Sequence, residues 1–181
     1  MPVNKIYLFS LTIIICLLFV FPPLMQAKTC SPSNEMTIAT TAKKDSALEA
    51  MLGSFEIYYS FLNDIKIKQG YYLPLHGQTR TEAINYLEEG FAENLATAIV
   101  DEYTCFIPEL ECLAIMPGDG LPVLKKDDIP HLGCKKISDK YIVFSREFVR
   151  CYSLEDRYRY QVEMQLYDDH WKVSALRLEE I

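Results

Sequence analysis

Between Tyr158 and Leu166 every even position is apolar (Tyr158, Tyr160, Val162, Met164, Leu166), and Arg157, Arg159, Gln161, Glu163 and Gln165 alternate with them. A period of two is that of a β-strand with one apolar and one solvated face. Asp168-Asp169 follows as a turn, and in the last strand Trp171 and Val173 share one parity while Leu176 and Leu178 share the other. A phase change of one residue inside a strand predicts a bulge near Ala175, and a bulge bends the sheet that carries it. Upstream, Tyr141 to Arg150 reads as a further strand, entered by a short hairpin turning at Ser138-Asp139 and left by a turn at Leu154 to Asp156.

The first half of the chain has a different period. Leu48, Met51, Leu52, Phe55, Tyr58, Tyr59, Leu62 and Ile65 recur at helical spacing behind Ser46 and Glu49, whose separation is that of a capping box. A helix is predicted from about residue 46 to 67, ending before Gly70. Thr79 and Glu82 repeat the capping signature, and Ile84, Leu87, Phe91, Leu95, Ala98 and Ile99 continue on one stripe, divided at Gly90, to about Tyr103. Residues 71–78 read as an aromatic loop, and residues 106–133, with four prolines, as a long irregular connection. Helices followed by an antiparallel sheet predict an α+β fold, the helices covering the apolar face of the sheet.

Residues 1–27 stand apart: Lys5, an apolar run from Ile6 to Phe21, the Pro22-Pro23 break and then Gln26-Ala27 have the layout of a secretory signal peptide. Cleavage near Ala27 is preferred to retention as a tilted anchor, which would be the chain's one membrane contact. Residues 28–45, rich in Thr, Ser, Lys and Ala, read as a flexible leader to a single domain at 46–181. The net charge of −7 becomes −8 over 154 residues once Lys5 leaves with the signal. An acidic chain with no basic run lacks the cations that nucleic acid binding needs, so no nucleic acid partner is expected.

Export turns attention to the cysteines, five of which remain after cleavage: Cys30, Cys105, Cys112, Cys134 and Cys151. Fifteen arrangements of two bridges are possible. The short span between Cys105 and Cys112 favours a local bridge, Cys134 and Cys151 flank a strand and form the second expected pair, and Cys30 is left over. A zinc site is disfavoured, because no CxxC occurs and the three histidines are scattered.

FEIYY in the first helix, YLEEGFAENLATAI in the second stretch, the proline-containing connection and the closing DDHWKVSALRLEE together resemble the nuclear transport factor 2-like superfamily, over about residues 46–181. Within it the chain is similar to the YbjP/YqhG-type bacterial envelope proteins. The resemblance implies a cone fold, with helices packed into the concave face of a curved antiparallel sheet and a mouth able to hold a ligand. It also implies a secreted or periplasmic location. Lys28-Thr29 before Cys30 is not the small, apolar lipobox of the lipoproteins in that group.

The expected function is a non-catalytic binding or envelope-accessory domain, its partner an apolar small molecule or an envelope protein. Phe55, Tyr58, Tyr59, Tyr158, Tyr160 and Met164 are the pocket-lining candidates, although a filled aromatic core explains the same residues more simply. Two alternatives belong to other classes. An acidic surface suits a periplasmic immunity protein or other protein-interaction module, and the cone pocket of an isomerase- or cyclase-like enzyme would place an acid or base inside. For that chemistry Tyr58, Tyr59, His76, Asp101, Asp127, Asp128 and His170 come into question. Each has a simpler account as core aromatic, loop residue, turn, cap or solvated helix face, so no catalytic residue, cofactor or metal is assigned.

Overall fold

The computed structural model describes residues 33–118, 120–149 and 157–181, and side chains from residue 41 onward. The signal segment, Cys30, Cys151 and the turn at Leu154 to Asp156 lie outside the described residues.

The first helix, α1 (Ser33–Asn63), is longer at its start than the capping signature at Ser46 predicts. Residues 33–45, assigned above to a flexible leader, are helical. Between Pro32 and Gly53 no glycine or proline interrupts the chain, so Ser46 with Glu49 falls inside a helix already begun. Ala47, Met51, Phe55, Tyr58 and Phe61 form its inward stripe, each 2 % exposed or less. The helix ends where the Asn63 amide group donates to the Tyr59 carbonyl at 2.8 Å and Asp64 N–H to Ser60 O at 2.9 Å.

Beyond that end, β1 (Ile65–Lys68) and β2 (Tyr71–Pro74) form a hairpin in place of a last helical turn and an aromatic loop. Ile65 and Ile67 alternate with Lys66 and Lys68, a period of two that the longer helical stripe masks. Gln69 and Gly70, with φ of 52° and 85°, make the tight turn that a two-residue hairpin requires.

The second capping signature forms as read: Thr79 Oγ1 accepts from Glu82 N–H at 3.2 Å and the Glu82 carboxylate accepts from Thr79 N–H at 3.1 Å. Helix α2 (Arg80–Leu87) follows, and α3 (Glu93–Tyr103) comes after the break at Gly90. The Gly90 carbonyl accepts from Val173 N–H at 2.9 Å and from the buried Ser54 hydroxyl at 2.8 Å. A Cβ at Gly90 would sit 2.8 Å from Ser54 Cα, so only glycine lets the helix junction approach α1 this closely.

The proline-rich connection is less irregular than its composition suggests. It opens with a hairpin, β3 (Thr104–Ile107) and β4 (Cys112–Ile115), joined by a 3-10 turn at Pro108–Leu110. Leu73, Ile107, Cys112 and Ala114 build a small second core between the two hairpins. Here the expected Cys105 to Cys112 bridge is corrected, because both thiols are free. Cys105 lies opposite Ala114 and Cys112 opposite Ile107. The two cysteines are therefore diagonal neighbours, about 7–8 Å apart in such a ladder, whereas bridged Cα atoms are usually below about 6.8 Å. Cys134 is likewise a free thiol, on an exposed residue.

After a second 3-10 segment, Lys126–His131, the chain enters a four-stranded antiparallel sheet. Its strands are β5 (Gly133–Ser138), β6 (Tyr141–Val149), β7 (Arg157–Tyr167) and β8 (His170–Glu180), in sequence order. Asp168 and Asp169, with φ of 43° and 66°, turn β7 into β8. Glu163 pairs with Ala175 but Met164 with Val173, so Ser174 is the extra residue of the expected bulge. Its hydroxyl donates to Glu163 O at 3.1 Å. Tyr160, Val162 and Met164 of β7 are buried with Ile142, Phe144, Trp171 and Val173 in the same core as the α1 stripe. The Phe55 and Tyr160 rings lie 6.5 Å apart. The described domain is thus α+β, with helices and antiparallel sheets.

Candidate functional site

Consecutive aromatic residues on α1 point to different sides. Phe55 and Tyr58, three positions apart, face the sheet, while Tyr59 is 57 % exposed. The Tyr58 ring meets that of Tyr103, at the end of α3, edge to face at 5.9 Å. The Tyr58 hydroxyl accepts from Leu121 N–H at 2.8 Å. Burial, reinforced by Tyr103, pushes ionisation of Tyr58 well above the usual tyrosine range. Burial does the same at Tyr160, helped by the neighbouring Tyr58 and Tyr103. The Tyr160 side chain is 1 % exposed and its hydroxyl has no hydrogen-bond partner among the described residues.

The bond from Leu121 to Tyr58 ties the segment before the second 3-10 turn to the side of α1. Together they enclose an open groove of about 520 Å³, lined by Leu52, Phe55, Glu56, Tyr59 and Ser60 of the helix and by residues 123–126 opposite. Leu124, 1 % exposed, fills its inner wall. Lys125 and Lys126 stand on its rim across from Glu56, and among the described residues none of these three charged side chains has an ion-pair partner. Lys125 is oriented through its backbone, whose N–H donates to the Asp128 carboxylate at 2.7 Å. The same carboxylate pairs with the guanidinium of Arg146 on β6, which covers the Phe148 ring at 4.5 Å.

Of the six pocket candidates, only Phe55 and Tyr59 line this groove. Tyr58, Tyr160 and Met164 are gathered into the core, and Tyr158 is half-buried at the start of β7. The residues weighed for acid–base work are dispersed. Asp128 belongs to the ion pair with Arg146, and Asp101 makes a two-pronged exposed pair with Arg80 at 2.9 and 3.0 Å. His76 contacts Asp64 at 2.9 Å and stacks on Tyr86 at 4.5 Å, so it clasps the base of the first hairpin rather than standing free in a loop. Asp127 is exposed, and so is His170 beside its turn. Among the described residues, no cluster of His, Cys, Asp and Glu could hold a metal ion.

The groove-lining residues Val123, Leu124, Lys125 and Lys126, and Leu121 whose N–H ties them to Tyr58, escaped the reading from sequence. Their signal is the apolar run Leu121, Val123 and Leu124 inside a connection otherwise made of turn formers. Tyr103 was legible only as a helix end, although it stands four residues after Ile99 on the same stripe. No family model, curated protein or solved structure matches the chain.

Proposed function

We propose that this chain is an exported, non-catalytic binding domain with the cone fold of the nuclear transport factor 2-like superfamily, and that its groove beside α1 takes a small, mainly apolar molecule bearing an acidic group. The groove carries the reading. Its volume of about 520 Å³ lies within the roughly 300–1,000 Å³ usual for small-molecule sites. Leu52, Phe55, Val123 and Leu124 give it apolar walls, and two ammonium groups face one carboxylate at its rim, in a chain whose net charge is −7. Support for the cone is the bulged antiparallel sheet with α1 packed on its apolar side. Support for export is the apolar run from Ile6 to Phe21 with its lysine before and its proline break after.

A thermal-shift series with octanoate, octanol and simple sugars tests the reading. Octanoate raises the melting temperature of the wild type, and the rise shrinks in the Lys125→Ala/Lys126→Ala variant while the weaker response to octanol is kept. A flat response to all three ligand types overturns the proposal.

A further inference from the structure

The β1–β2 hairpin is exposed at every position from Lys66 to Tyr72, so its tip stands clear of the domain on both faces. Ile67 is 70 % exposed and Tyr71 and Tyr72 more than 40 % each, with Leu75 at 53 % just beyond. Between Ile65 and Leu75 there is no acidic residue, whereas Lys66 and Lys68 are both present and neither makes an ion pair among the described residues. In a chain of net charge −7 this is a local cationic, aromatic projection.

The tip is also held in place. Leu73 is buried to 1 % in the second core, Leu75 N–H donates to Asp64 O at 2.8 Å, and the contact of His76 with Asp64 closes the base. Exposure of these apolar side chains is thus built into the fold.

The residue types choose among possible occupants. A protein interface is depleted in lysine at its centre, and lysines on an edge strand such as β1 guard against the addition of a further strand. Tyrosine and lysine beside an exposed isoleucine instead match the boundary of a bilayer, where aromatic rings sit at headgroup depth and ammonium groups reach lipid phosphates. We propose that the β1–β2 tip docks on an anionic phospholipid surface, with Ile67, Tyr71 and Tyr72 entering the headgroup layer and Lys66 and Lys68 facing the phosphates.

The test places a reporter at the tip, because the apolar run near the amino terminus could bring the full chain to vesicles without it. In full-length Ile67→Trp protein, with the emission of wild type subtracted to remove Trp171, phosphatidylglycerol vesicles shift the new fluorescence to the blue and brominated acyl chains quench it. Phosphatidylcholine vesicles leave it unmoved. Adding Lys66→Gln and Lys68→Gln raises the lipid concentration needed for half the shift by about twenty-five-fold, at about five-fold for each lysine at an anionic surface. Emission that stays unmoved while the protein sediments with phosphatidylglycerol vesicles overturns the proposal, as does an equal shift on both lipids.

Discussion

Tyr160→Phe removes one oxygen from the centre of the core and should make the protein more stable. The side chain is 1 % exposed and its hydroxyl has no partner among the described residues, so the folded state bears the desolvation of that group without a hydrogen bond in return. Leaving a buried polar group unpaired costs about 1–3 kcal/mol, which phenylalanine recovers without changing the ring that packs on Phe55. For a domain of this size each kcal/mol moves the melting temperature by about 2–4 °C. Tyr58→Phe is the matched comparison, since its hydroxyl accepts from Leu121 N–H. Losing it leaves the Leu121 donor without its acceptor and should cost about 1–2 kcal/mol. Urea unfolding of the two variants, followed by the fluorescence of Trp171, gives both differences from one protocol. Tyr160→Phe falling below wild type by a kcal/mol or more would refute the reasoning, because the hydroxyl would then have a partner in solution.

Gly90, at the break between α2 and α3, and Gly53, within α1, should respond in opposite ways: Gly90→Ala drives a Cβ into Ser54 and costs about 1–3 kcal/mol, whereas Gly53→Ala meets no atom within 4 Å and gains about 1 kcal/mol of helix propensity. Denaturant midpoints decide both. Tyr58 and Tyr160 ionise at higher pH when folded than when unfolded. Their contribution is therefore intact below about pH 10, where free tyrosine begins to ionise, and is lost as the pH rises further. Urea midpoints should hold through neutrality and fall in alkali, less steeply in Tyr160→Phe, and a midpoint indifferent to alkali contradicts this. Alkylation followed by mass analysis should label Cys134 in the native protein, slowed by the desolvation that raises its thiol pKa, and Cys112, 6 % exposed, only on unfolding. A peptide joining Cys105 to Cys112 by a disulfide would contradict the diagonal pairing of the β3–β4 hairpin.

What could be read from sequence was whatever one local period or one cap determines alone. Alternation over Tyr158 to Leu166 and the phase change before Leu176 placed β7, β8 and the bulge at Ser174, because a slip of one residue would turn every side chain to the other face. Thr79 with Glu82 placed α2 for a similarly local reason. The errors came where two signals overlapped. Ile65 continues the helical stripe of α1 and also begins the alternation of β1, and only the turn at Gln69-Gly70 decides between them. Cys105 and Cys112 are near in sequence, but it is the register of their hairpin that leaves them diagonal. The groove was hidden for a third reason, as Leu121 is positioned by the hydroxyl of Tyr58, 63 residues away in the chain.

The apolar face of β7 divides between covered and open surface in a way that decides where a ligand can go. Tyr160, Val162 and Met164 are closed over by α1 and its neighbours, and only Tyr158 and Leu166 at the two ends of the strand are half-exposed. The middle of the sheet is therefore core, and Phe55 joins it to the outside, its ring 6.5 Å from that of Tyr160 while the residue also lines the groove. Substitutions in the sheet should then alter ligand affinity only by moving Phe55, whereas changes at Leu52, Tyr59, Lys125 or Lys126 should act directly. A Val162→Ala variant that folds but binds octanoate as tightly as wild type, beside a Tyr59→Ala variant that binds it more weakly, would place recognition on the outer side of α1. The reverse order would place it inside the sheet.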